Sequence, residues 1–184
     1  MLPTEDDIAK LSLRGIVAYA ARAARRASPC LSSLEKADVV RRALANAESV
    51  VTAVELDPNQ AHNVATAAAA AVGAMGESPP RYNVFAALSI FDCAMSAVNV
   101  LMASHIKDVR SLQFKKFTKY AAHHAHRAVQ RSCCIGDSAN AIEAARRDYH
   151  GLVRVYGVHL DITFGESIDI GPSGPLGPLW PVVQ

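Results

Sequence analysis

Apolar residues recur at alternating intervals of three and four along most of this chain, in stretches separated by proline, glycine or a capping residue. That spacing places one stripe of side chains on one side of an α-helix, and a strand cannot use it. Six such stretches follow one another before the pattern changes. The chain is therefore expected to be all-α, a six-helix bundle or two three-helix halves. Residues 1–157 form the helical domain and residues 158–184 an extended Gly/Pro-rich tail.

The boundaries come from local chemistry. Thr4 is an N-cap followed by Glu5, Asp6 and Asp7, which suit the positive end of a helix. The first predicted helix runs from there to about Ala27, with Ile8, Leu11, Ile16, Tyr19 and Ala23 inward. Lys10, Arg14, Arg22, Arg25 and Arg26 fall largely outside that face. Ser32 or Ser33 opens the second, which runs to about Leu56 with Val40, Leu44, Ala47, Val51 and Val54 as its seam. Asp57-Pro58 and Ser78-Pro79-Pro80 open the third and fourth in the same manner, a cap followed by proline. The fifth covers about residues 109–134 and stops at Gly136. The sixth starts at Asp137 or Ser138 and stops at Gly157.

After Gly157 the period becomes two. Val158, Leu160, Ile162 and Phe164 alternate with polar residues, and Ile168 and Ile170 could return as a second short strand after Gly165-Glu166-Ser167. From Gly171 to Pro181, four prolines and three glycines exclude regular structure. Residues 157–184 carry Asp161, Glu166 and Asp169 and no lysine or arginine. The only tryptophan, Trp180, lies there beside Leu176 and Leu179. Those three are expected to dock in a helical groove near the fifth helix, whose cations would face the tail's acids.

The opening Leu2-Pro3-Thr4-Glu5-Asp6-Asp7-Ile8-Ala9, the run Ala20-Ala21-Arg22-Ala23-Ala24-Arg25-Arg26 and the closing Gly177-Pro178-Leu179-Trp180-Pro181 resemble a group of uncharacterised, planctomycete-type bacterial helical proteins. The resemblance touches both ends of the chain. It implies a helical architecture and carries no activity.

Composition narrows the function classes. Apolar residues are 51% of the chain and aromatics only 6%, so the core is built largely from alanine and helices can approach closely. A net charge of +2 does not by itself point to a polyanion. The acidic start is unlike a secretory signal. Residues 84–103 approach the length of a membrane span but contain Asp92 and Asn99, which favours a buried central helix with Val84, Leu88, Phe91, Met95, Val98 and Met102 in the core. Cys30, Cys93, Cys133 and Cys134 match no zinc or disulfide spacing, as in a cytoplasmic protein with reduced thiols.

No phosphate loop, nucleophile elbow or His-Glu metalloprotease motif is present, so no catalytic residue is assigned and the chain is expected not to be an enzyme. Asp92, in an apolar helix, needs a cationic or hydrogen-bonding partner from the second or fifth helix. His123 and His126 are three apart and could share a metal, yet the fifth helix offers no acid, so a further ligand would have to come from elsewhere, with His150 and His159 as the possible donors, and no cofactor is expected. Seven lysines and arginines lie between Lys107 and Arg131 against one acid, Asp108. Lys115, Lys116 and Lys119 interleave with Phe114, Phe117 and Tyr120. Those aromatics step by three, as a core face does, leaving the lysines to solvent or to a protein partner; stacking on nucleic acid is the competing use. The expected function is protein interaction of a regulatory, adaptor or immunity type, through Lys115, Lys116, Lys119, Leu176, Leu179 and Trp180. The partner is another protein or a second copy, and no membrane is involved. A nucleic-acid-binding module and a metal- or small-ligand-binding bundle are the alternatives.

Overall fold

In the computed structural model the described residues are 1–32, 34–55, 57, 59–75, 80–158 and 164–180. Among them are seven α-helices in a compact arrangement and no strand. They are α1 (Glu5–Ile8), α2 (Leu13–Ala27), α3 (Ala37–Thr52), α4 (Gln60–Gly73), α5 (Arg81–Ser104), α6 (Leu112–Ser132) and α7 (Ser138–Tyr156), with a 3-10 turn over Ser28–Leu31.

The seventh helix arises because the first predicted one is two. Thr4 and Asp7 form a reciprocal capping box on α1, which ends after one turn. Ser12 then caps a new helix by accepting from the Gly15 backbone N–H at 3.1 Å. Leu11 is buried at the break, so the apolar periodicity continues through it and conceals it. Helices α3, α4 and α5 start at Lys36, Asn59 and Pro80 with no side-chain cap, so Ser32 does not open α3, whereas α6 and α7 are capped as their chemistry requires. Ser111 accepts from the Phe114 N–H, and Asp137 accepts from the Ala139 and Asn140 N–H groups. Gly157 ends α7 with φ +77°, a conformation that needs glycine. Leu56, Pro58, Ser33, Ser78 and Pro79 lie outside the described residues, as do positions 159–163 of the proposed strand.

The central helix is α2, not α5. Fourteen of its fifteen residues are buried, and it packs against α3, α5, α6 and α7. Its seven small residues, six alanines and Gly15, permit that crowding. In α5 the buried side is likewise the small one, with Ala86, Ile90, Cys93, Ala94, Ala97 and Val100 inward. The larger stripe expected in the core, Val84, Leu88, Phe91, Met95, Val98 and Met102, is half-buried, and Met102 is exposed. Alanine lets neighbouring helices lie close on one side, and the bulkier stripe is left at the surface.

Arg22 and Arg26, expected outside the apolar face, are buried. Their outer side is covered by residues 164–180 and by α7. Arg22 Nε lies 2.9 Å from Asp148 Oδ1, and Arg26 Nη1 lies 2.5 Å from Asp148 Oδ2. Arg22 also donates to the backbone carbonyls of Ile170, Gly171, Leu176, Gly177 and Pro178 at 2.9–3.5 Å. Arg25 donates to Ile170 O, and Arg26 to Leu179 O. A guanidinium has five N–H donors in a fixed fork, enough to satisfy a carboxylate and several carbonyls together.

The C-terminal segment therefore docks on α2 and α7, not beside the basic helix α6. Its backbone oxygens, and not its acidic side chains, meet the arginines. Ile168, Ile170 and Leu176 are buried in the process. No second strand forms there: Ile168 N–H donates to Val51 O of α3, a single bond at 3.0 Å. Gly165, with φ +84°, passes so close to Ser12 that a Cβ would stand 2.8 Å from its hydroxyl. Leu179 is half-buried, and Trp180, expected to be buried, is 42% exposed.

Candidate functional site on helices α5 and α6

The half-buried stripe of α5 runs Val84, Leu88, Phe91, Met95, Val98, Met102, six positions at helical spacing along a 24-residue helix. It lies about a third of a turn around α5 from the two serines that meet α6. That junction is fixed by side chains of α5 donating to the backbone of α6: Ser89 to Ala128 O at 2.8 Å and Ser96 to Ala121 O at 3.0 Å. This is the helix long and apolar enough to cross a membrane by length and composition, and about two thirds of it is buried among the other helices.

Asp92 sits in the same seam, between the two serines. Its carboxylate is 1% exposed and is ringed from α6. His124 Nδ1 is 2.9 Å from Oδ1, Arg131 Nη1 is 2.5 Å from Oδ2, and Arg127 Nε is 3.7 Å away. Arg131 also donates to Leu88 O at 3.0 Å. Desolvation pulls the Arg131 pKa down, and the Asp92 charge opposes that pull. One negative charge thus organises two arginines and a histidine, and the excess of positive charge faces outward. Arg127 is the most exposed of the three. The expected cationic partners of Asp92 are found, on the second of the two helices considered.

The edge of α6 next to the α5 stripe carries Phe117, Tyr120, His124, Arg127 and Arg131, three and four apart. Tyr120 is exposed, with Lys116 Nζ 5.7 Å from its ring centre. Lys115 and Lys119 are exposed farther round the helix and do not join this edge. At the α5–α6 turn, Val109 and Leu112 are exposed, Leu112 by 85%. Phe114 is buried and Phe117 half-buried, but Tyr120 is exposed, so the core face expected of the three stops at Phe117.

The two histidines considered for a metal are engaged separately. His123 Nδ1 is 2.9 Å from Glu5 Oε1 of α1, and His126 Nε2 is 2.8 Å from Gln130 Nε2. Among the described residues no three histidine, cysteine or acidic side chains gather as a metal site. His150 is exposed on α7, and His159 lies outside the described residues. Leu176 lies against α2 and α7, the Leu179 carbonyl accepts from Arg26 of α2, and Trp180 is exposed, so none of the three joins the α5–α6 surface.

Sequence reasoning placed the stripe of α5 and the base-rich edge of α6 separately and missed that they adjoin. Ser89 and Ser96, seven apart and flanking Asp92, are the sequence signal that could have joined them. Compared with known proteins, the chain matches no protein family, no curated protein and no solved structure.

Proposed function

We propose that this is a non-enzymatic interaction protein, adaptor or regulatory in kind, which receives an acidic amphipathic helix of a partner protein along α5. The observation that carries the reading is the unbroken half-exposed stripe from Val84 to Met102, bordered by the cationic edge of α6. A helix laid along such a stripe buries leucine-like anchors at i, i+3, i+4 and i+7. Contiguous apolar surface is uncommon on a protein that meets nothing. Charge selects the partner. α4 has no ionisable side chain except His62, and α5 has only Arg81, Tyr82, Cys93 and the buried Asp92. Nothing acidic on these helices would therefore oppose carboxylates facing Arg127 and Lys116.

A photoreactive phenylalanine analogue placed at position 91 tests the reading in the native cell. Cross-links should form to an acid-rich helical segment of another protein and disappear when Leu88→Asp and Met95→Asp are added. Absence of any adduct would sink the proposal, and adducts to the same chain would replace it with self-association. Tight oligonucleotide binding with a steep salt dependence, lost on changing Lys115, Lys116 and Lys119 to alanine, would replace it with nucleic-acid binding.

A further inference from the structure

Away from the α5–α6 surface, a cavity of about 390 Å³ opens between α7 and the docked C-terminal segment. Its size falls in the range of small-molecule sites. One wall is α7. Arg147, His150 and Arg154 stand at i, i+3 and i+7, so they share one face of that helix. The facing wall is Pro175, Leu176 and Pro178, and no acidic side chain lines the space.

The carbonyls of that facing wall are already committed. Those of Leu176, Gly177 and Pro178 accept from Arg22, which lies beneath them, and Pro178 O accepts from Arg147 as well. What this wall offers the cavity is proline rings and a leucine side chain. Arg147 is held by its bond to Pro178. Arg154 is exposed and has no hydrogen-bond or ion-pair partner among the described residues. His150 is exposed beside it, its ring edge-on to Tyr149. Gly151 keeps the floor open, since a Cβ there would stand 3.2 Å from Leu176 Cδ2. Cationic groups on one side and an apolar wall on the other call for a ligand with the same two halves.

We infer that this cavity binds a small organic anion, a carboxylate or phosphate monoester on a compact apolar body. The anionic group meets Arg154 and His150, and the body lies against Leu176 and the prolines. Such a ligand would touch both α7 and the C-terminal segment, so binding would hold the segment down. The inference does not depend on the use proposed for α5.

Calorimetry and thermal melts on the full chain test it, with phenyl phosphate and benzoate as the two anionic probes. Inorganic phosphate and benzyl alcohol carry one half of the chemistry each. At least one anionic probe should bind with a stoichiometry of about one, raise the melting temperature, and bind about tenfold or more tighter than either half alone. Arg154→Gln should weaken it by about tenfold, and His150→Gln by less, with the ligand-free melting temperature unchanged because both side chains are exposed. The inference is overturned if neither anionic probe binds or if inorganic phosphate or benzyl alcohol binds as tightly. It is equally overturned if Arg154→Gln leaves the affinity intact, or if changing Lys115, Lys116 and Lys119 to alanine removes the binding instead.

Discussion

Arg26 and Asp148, 122 positions apart in the chain, meet with Nη1 2.5 Å from Oδ2 in a site closed to solvent. Arg22 shares the same carboxylate from the preceding turn of α2. Asp148→Asn would leave two buried guanidinium groups without their counter-charge, and should cost about 3–5 kcal/mol of unfolding free energy. Arg22→Met should cost more than Arg26→Met, because Arg22 alone serves five carbonyls. Denaturant titration of the three variants checks both; an Asp148→Asn loss below about 1 kcal/mol would contradict the assignment.

Deletion of residues 171–184 should lower stability without changing the molecular mass in solution beyond that of the residues removed. Leu176 is 5% exposed against helices of its own chain, and the deletion uncovers Arg22 as well as apolar surface. Light scattering and thermal melts of the shortened chain give the answer. A halved mass would mean that the segment links two copies.

Two substitutions on α5 should separate its sides. Ile90 is fully buried, so Ile90→Ala should cost about 2–5 kcal/mol. Val98 belongs to the half-exposed stripe, so Val98→Ala should cost about 1 kcal/mol or less. Equal losses in denaturant titrations would mean that the stripe is part of the core after all.

The Thr4 hydroxyl and backbone N–H, with help from Lys10, hold the Asp7 carboxyl down to about 2. Its unfolded value is near the ordinary ~3.9. A depressed folded pKa stabilises the native state above the unfolded value and loses that contribution as pH falls through the folded one. The melting temperature of wild type should therefore exceed that of Asp7→Asn above about pH 4, and the gap should close between about pH 4 and pH 2. A gap that stays constant over this range would exclude the capping box as its source.

The helices were legible because their punctuation is chemical and local: Thr4, Asp137 and Gly157 act where they stand. Ser12 was not, because a helix break with a buried Leu11 keeps the apolar rhythm unbroken. The inside-outside assignment failed on α2 for a related reason. Apolar periodicity marks one buried face and is silent about a helix covered on every side. The cover comes from residues more than a hundred positions away, and it buries arginines by feeding them backbone oxygens, which have no signature in the sequence. Asp92 was readable as a buried acid needing a cation, since a single carboxylate in an apolar helix has few alternatives. Its place on the edge of a surface stripe required knowing which side of α5 meets α6, and Ser89 and Ser96 decide that through α6 carbonyls.

The shared carboxylate also sets an order of events during synthesis. α2 emerges from the ribosome long before Asp148 and the carbonyls of residues 170–178. Until they follow, Arg22 and Arg26 keep their water, and the helix that α3, α5, α6 and α7 pack around cannot be fully enclosed. A nascent chain stalled before α7 should thus hold its early helices in a loose, protease-sensitive association. The segment over residues 164–180, translated after every helix it covers, acts as the latch that lets the centre become dry.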